Sequence, residues 1–101
     1  MRLVKILRSA EWERFRAEGV FAGSADDLRD GFIHLSTEPQ VAGTLRRHFA
    51  GGTGLVRVEV EVGEDPSLRF EPSRGGEAFP HLYRPLRSAD IAGWSVVVQD
   101  P

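Results

Sequence analysis

The run Leu55-Val56-Arg57-Val58-Glu59-Val60-Glu61-Val62 sets a valine at every second position and a charge at each position between. Side chains alternate faces along an extended chain, so this pattern makes a strand with one apolar and one wet face. A helix would scatter the same valines around its axis. A chain holding such a strand must build a sheet and cover one side of it. With 101 residues there is enough chain for one core and one domain.

The other periodicities supply the cover. Leu3 to Leu7 is a short apolar strand around Lys5. Ser9 is placed to cap a helix over Ala10 to Glu18, with Trp12 and Phe15 on its inner stripe and Gly19 as its stop. Val20 to Gly23 reads as a connector, and Ser24 with Asp27 has the form of a cap for one turn over Ala25 to Leu28. Thr37, Pro39 and Gln40 open the strongest helix, Glu38 to Phe49, on which Val41, Leu45 and Phe49 recur every fourth residue. Short strands follow at Leu68 to Glu71 and Pro80 to Tyr83, the latter confined to an edge or cut short by Pro85. Ser88 to Ile91 reads as a capped turn and Trp94 to Val98 as a closing strand. Strand, helix, strand, helix and then mostly strands predicts an α+β single domain, its two main helices packed on a mixed or antiparallel sheet.

A net charge of -2 and a pI near 5.9 argue against a general nucleic-acid binder, which needs a basic excess to neutralise phosphates. The chain has no cysteine, which excludes disulfides, thiolate zinc and a cysteine nucleophile. Charges interrupt the apolar residues of Met1 to Arg8, so no signal peptide or membrane span is expected there and the cytoplasm is the expected compartment.

Two stretches concentrate chemistry and together suggest one polar pocket. In Asp30-Gly31-Phe32-Ile33-His34-Leu35-Ser36-Thr37 a turn leads into an apolar strand that carries His34 to the start of a helix. His34 offers a donor and an acceptor where backbone N–H groups lie open to an anion, and a core histidine bonded to a carbonyl is the plainer alternative. Thr37 has the better capping pattern, which leaves Ser36 either to double the cap or to face a ligand, with no base at hand to make it a nucleophile. In Arg74-Gly75-Gly76-Glu77-Ala78-Phe79-Pro80-His81-Leu82-Tyr83 a guanidinium sits beside bare backbone. His81 and Tyr83 then alternate onto one strand face, either as ligand contacts or as a hydrogen-bonded pair lining a half-buried sheet. His34, His48 and His81 lack metal-ligand spacing, and Arg46 and Arg47 beside His48 repel a cation, so no metal is expected.

These motifs, with Val4-Lys5-Ile6-Leu7, Glu11-Trp12, Gln40, His48-Phe49-Ala50-Gly51 and Leu68-Arg69-Phe70-Glu71-Pro72-Ser73, resemble the DUF952 family of small bacterial proteins of unknown function. Phe70 stands where that family often has Trp, and Arg84 where it usually has Gly. Members resemble the ADP-ribosyltransferase fold, a split sheet with an NAD cleft between its halves. The resemblance implies that His34, with Ser36 nearby, contacts the nicotinamide end and that Tyr83 stacks on the nicotinamide. The residues themselves add Thr37, Arg74, Gly75, Gly76 and His81 as candidate ligand contacts. The resemblance implies NAD as substrate rather than a resident cofactor. Trp94 to Pro101 contains no glutamate where many such transferases carry their catalytic one. Two functional readings follow: an NAD-utilising transferase or glycohydrolase, or a non-catalytic module binding a small metabolite or peptide in the same cleft.

Overall fold

The computed structural model describes residues 1–99, with Arg74 described by its backbone alone. The guanidinium expected to take an anion therefore lies outside the described residues, as do Asp100 and Pro101. The alternating run forms β4 (Leu55–Glu61), the centre of a sheet whose other strands are β1 (Arg2–Arg8) and β8 (Ile91–Val96). Val56, Val58 and Val60 are buried, while Arg57 and Glu59 on the other face are half-covered. On the valine side lies α1 (Ser9–Glu18), whose Trp12 and Phe15 meet edge to face at 5.8 Å inside the main core. Each such ring contributes about 1.5–3 kcal/mol by leaving water. Ser9 does not cap this helix: its hydroxyl donates to the Gly54 carbonyl at 2.7 Å, and Glu11 closes the first turn by accepting from the Arg8 N–H.

Strand β1 is buried on both faces. Leu3 and Leu7 join the main core, whereas Val4 and Ile6 pack on the opposite side against Val41, Leu45 and Phe49. Those three lie on and just beyond α3 (Val41–His48), which a single 3₁₀ turn, Glu38–Gln40, leads into. Thr37 and Gln40 form the expected reciprocal cap, with the Thr37 N–H donating to Gln40 Oε1 at 3.0 Å.

A second sheet has the order β3 (Ile33–His34), β6 (Ala78–Leu82), β5 (Leu68–Pro72). Here β6 is central and not an edge, and of the two outcomes expected from Pro85 it takes the other, ending at Leu82. Leu35 pairs opposite Pro80, donating its N–H to the Pro80 carbonyl at 3.0 Å. Proline has no N–H to return, so the β3–β6 ladder ends at His34 and the proline is tolerated. A small ladder joins β2 (Val20–Phe21), which the sequence leaves as a connector, to β7 (Leu86–Arg87). All ladders among the described residues are antiparallel, so the mixed alternative is set aside. The two larger sheets touch at one bridge, Val4 with Ser36, whose N–H groups and carbonyls exchange bonds of 2.8 and 2.9 Å. No helix is long and apolar enough to cross a membrane among the described residues.

Candidate functional site

The site opens at the seam between the sheets. Ile33 pairs with Leu82 and His34 with His81 in the β3–β6 register. Because Leu35 bonds to Pro80, His34 and His81 occupy the intervening non-hydrogen-bonded position, where facing side chains come closest. Their rings stand edge to face with centroids 5.6 Å apart. Phe32 stacks on His81 at 4.0 Å and tilts against His34 at 4.6 Å, fixing both planes.

At that position the His34 N–H and carbonyl point away from β6, toward the seam, and need other partners. Helix α2 (Ala25–Asp30) and β1 supply them. Asp27 Oδ1 accepts from the His34 N–H at 3.1 Å, and Lys5 Nζ donates to the His34 carbonyl at 3.1 Å. The two side chains pair with each other at 2.9 Å, and Asp27 also accepts from the Ser24 N–H at 2.9 Å as the reciprocal cap of α2. Asp27 is only 2 % exposed and Lys5 6 %. Gly31 ends α2 with φ of 87°, a left-handed turn that brings the chain straight back past Asp27.

The same Asp27 Oδ1 accepts from His34 Nδ1 at 2.7 Å, and His34 Nε2 faces Asp30 at 3.0 Å. Burial raises the pKa of Asp27, but the His34 ring, the Lys5 charge and the two backbone N–H groups outweigh it and hold the carboxyl well below its usual range. An ionised, buried carboxylate behind an imidazole fixes the orientation of the ring. The arginine beside Asp30, Arg29, lowers that carboxyl too.

From this end a cleft of about 730 Å³ runs along β1 and α3. His34, Ser36, Gln40, Thr44, Glu77 and His81 border it. Ser36 Oγ hydrogen-bonds Thr44 Oγ1 at 2.8 Å, and the Gln40 amide donates to Glu77 at 3.1 Å and to the Ala78 carbonyl at 2.9 Å. Arg8, Arg46 and Arg47 also border the cleft, and no ion pair engages them among the described residues. Arg8 lies three residues beyond Lys5, about 10 Å along the strand. The hollow thus has an imidazole–carboxylate end, where Lys5 and Arg29 also stand, and an arginine-rich end, where Glu11 stands beside Arg8.

Of the residues singled out by sequence, His34, Ser36 and His81 line this cleft. Thr37 serves the cap. Gly75 and Gly76 lie in the turn Arg74–Gly76, both at φ 81°, next to but not on the cleft wall. Tyr83 borders a separate, shallow depression with Arg69 and Glu71, and its hydroxyl donates to Glu71 at 2.6 Å. Arg84 is away from the cleft, bound to Asp65 and Asp90. Sequence reasoning missed Lys5, Asp27 and Glu71 as site residues. A lone lysine within a strand buried on both faces was the available signal, since a buried ammonium requires a nearby acid.

The fold and site together define a small α+β domain with two antiparallel sheets meeting at a carboxylate–histidine cleft. The model of DUF952, described as a protein of unknown function, matches residues 6–94, and the chain belongs to that family. The crystal structure of protein CC0527 from Caulobacter crescentus is 44 % identical and superposes with a TM-score of 0.93, over 99 % of this chain and 89 % of that one. The solution NMR structure of CC0527 gives a TM-score of 0.88 at 44 % identity, covering 98 % and 86 % of the two chains. No curated protein matches the sequence.

Proposed function

We propose that the cleft binds a nucleotide of the NAD type and that the protein cleaves the bond between ribose C1′ and nicotinamide. The observation carrying this reading is the polarity of the hollow: His34, backed by buried Asp27, stands at one end, and the guanidiniums of Arg8, Arg46 and Arg47 border the other. A diphosphate matches the guanidiniums, and a polar ring with its ribose matches the imidazole and carboxylates. The volume lies in the range of sites for small molecules, about 300–1,000 Å³. The split-sheet arrangement supports the likeness to ADP-ribosyltransferases. The stacking role passes from Tyr83 to Phe79, which borders the cleft.

The test is thermal unfolding with NAD and with ADP-ribose. Ligand at ten times its Kd stabilises by about 1.4 kcal/mol, roughly 6–11 °C for a domain of this size. His34→Ala abolishes that shift. Absence of any shift in the native protein at millimolar ligand ends the proposal. The non-catalytic reading is favoured by one observation, that β8 contains no glutamate. Binding of NAD without nicotinamide release is its signature.

A further inference from the structure

We infer that His81 takes the proton from the hydroxyl, of water or an alcohol, that attacks ribose C1′, and that Glu71 is the residue that positions it; this rests on the nucleotide reading above. His81 is 5 % exposed, yet it borders the cleft. Its Nδ1 lies 2.9 Å from Glu71 Oε1. The Tyr83 hydroxyl, and then the His81 ring, lower the pKa of Glu71, so this carboxyl is an acceptor only. In the neutral ring the proton therefore sits on Nδ1 and the lone pair on Nε2. No described residue bonds to that Nε2, and the one side-chain nitrogen or oxygen both sealed and unpartnered among the described residues is Trp12 Nε1. His81 Nε2 is accordingly not sealed, and it has no protein partner among the described residues, in a side chain that borders the cleft.

The two histidines are not equivalent. His34 faces a carboxylate at each nitrogen, Asp27 and Asp30, which leaves neither open to take a ligand's proton. His81 has one nitrogen engaged and one open, with Phe32 stacked on its face to hold the plane. This carboxylate–imidazole pair supplies in space what the glutamate-free last strand lacks in sequence. In the reaction the C1′–nitrogen bond breaks and its electron pair leaves on nicotinamide, which departs neutral because the bound ring was cationic. The acceptor oxygen bonds to C1′, and its proton moves to His81 Nε2, giving an imidazolium paired with Glu71. Water yields ADP-ribose, and an alcohol yields its O-glycoside. The groups facing His81 are Glu71 and Arg69 from β5, Tyr83 just beyond the end of its own strand, and His34 from β3 with Asp27 and Asp30 behind it.

The experiment follows nicotinamide release from NAD, with and without added methanol, in the native protein, Glu71→Gln and His81→Asn. Glu71 is 38 % exposed at its side chain, so Glu71→Gln leaves folding intact. Loss of the base costs about 10²–10⁴-fold in kcat, with the thermal shift by NAD retained in His81→Asn. Glu71→Gln lowers kcat with KM little changed and moves the acid limb of the pH–rate profile, while Glu71→Asp restores part of the rate. Nitrogen NMR of the resting protein, which needs no turnover, should find His81 protonated at Nδ1. Native-like release by both variants, or a His81 proton on Nε2, overturns the assignment. So does a thermal shift by NAD with no release from the native protein, which leaves nucleotide binding standing. No thermal shift at all brings down the nucleotide reading itself, and this inference with it.

Discussion

Replacing Asp27 by Asn removes one charge from the floor of the cleft and changes almost no volume. The carboxylate accepts from Lys5, from the Ser24 N–H and from both the backbone N–H and the ring Nδ1 of His34, at 2.7 to 3.1 Å. Asn can keep one oxygen toward His34, but its NH₂ then meets the Lys5 ammonium or the Ser24 N–H, a donor against a donor. The larger loss is that Lys5 remains a buried cation without its anion. Breaking a buried pair from one side costs about 3–5 kcal/mol, on the order of 20 °C in a 100-residue domain. A domain of this length holds about 5–15 kcal/mol in all, so the variant still folds in the cold. The assay is urea unfolding at pH 7 followed by tryptophan fluorescence, with the midpoint falling and the slope unchanged. Lys5→Met with Asp27→Asn leaves no buried charge and retains an oxygen for His34, so the double variant should be more stable than the sum of single losses predicts by about 2 kcal/mol. A coupling energy below about 0.5 kcal/mol, or an Asp27→Asn loss under about 1 kcal/mol, would refute the view that this pair replaces a strand partner at the seam.

Acid gives a second reading of the same carboxyl. Its folded pKa is depressed, so the stability it lends is fully present above the ordinary aspartate value of about 3.9 and is lost as pH falls toward the folded value. Native stability should therefore drop steeply below about pH 4, and Asp27→Asn should show a shallower slope there in urea titrations at fixed pH. Arg84 ties the β4–β5 loop to the turn Ser88–Asp90 through Asp65 at 2.8 Å and Asp90 at 2.8 and 3.0 Å. Arg84→Ala should cost about 1–2 kcal/mol after solvent screening, with no effect on ligand-induced thermal shifts. Arg84→Lys should recover only part, because an ammonium cannot bind both acids in the guanidinium's fork.

The periodic elements were legible because their signal is local. The alternation of β4, the Thr37–Gln40 cap and the stripe of α3 each follow from residues within one or two turns, and each is where expected. What local pattern cannot carry is pairing between distant segments. The sequence assigned His34 and His81 to one expected pocket, but their face-to-face register depends on where Pro80 falls opposite Leu35. Asp27 was legible as a helix cap and only as that, since its second task is set by β1 arriving beside it. Glu71 looked like an ordinary strand residue, and Tyr83 shared its face with His81 yet ended off the cleft. A strand fixes the face of a side chain and says nothing of how far along the sheet the hollow extends.

Pro80 is where local chemistry decides the architecture of the site. Its missing N–H ends the pairing of β3 at His34, so the Leu35 carbonyl receives nothing from β6 and the chain turns across to Val4 at Ser36. The His34 backbone is left at the crossing, and the Lys5–Asp27 pair fills the place a strand would otherwise take. Pro80→Ala supplies the absent donor opposite Leu35. The expected outcome is one further ladder bond, read as slow hydrogen exchange of the new amide at position 80, and a loosened Val4–Ser36 bridge read as faster exchange at those two amides. If the amide introduced by Pro80→Ala exchanges freely while Val4 and Ser36 stay protected, then packing at the seam, and not the absent donor, ends the strand.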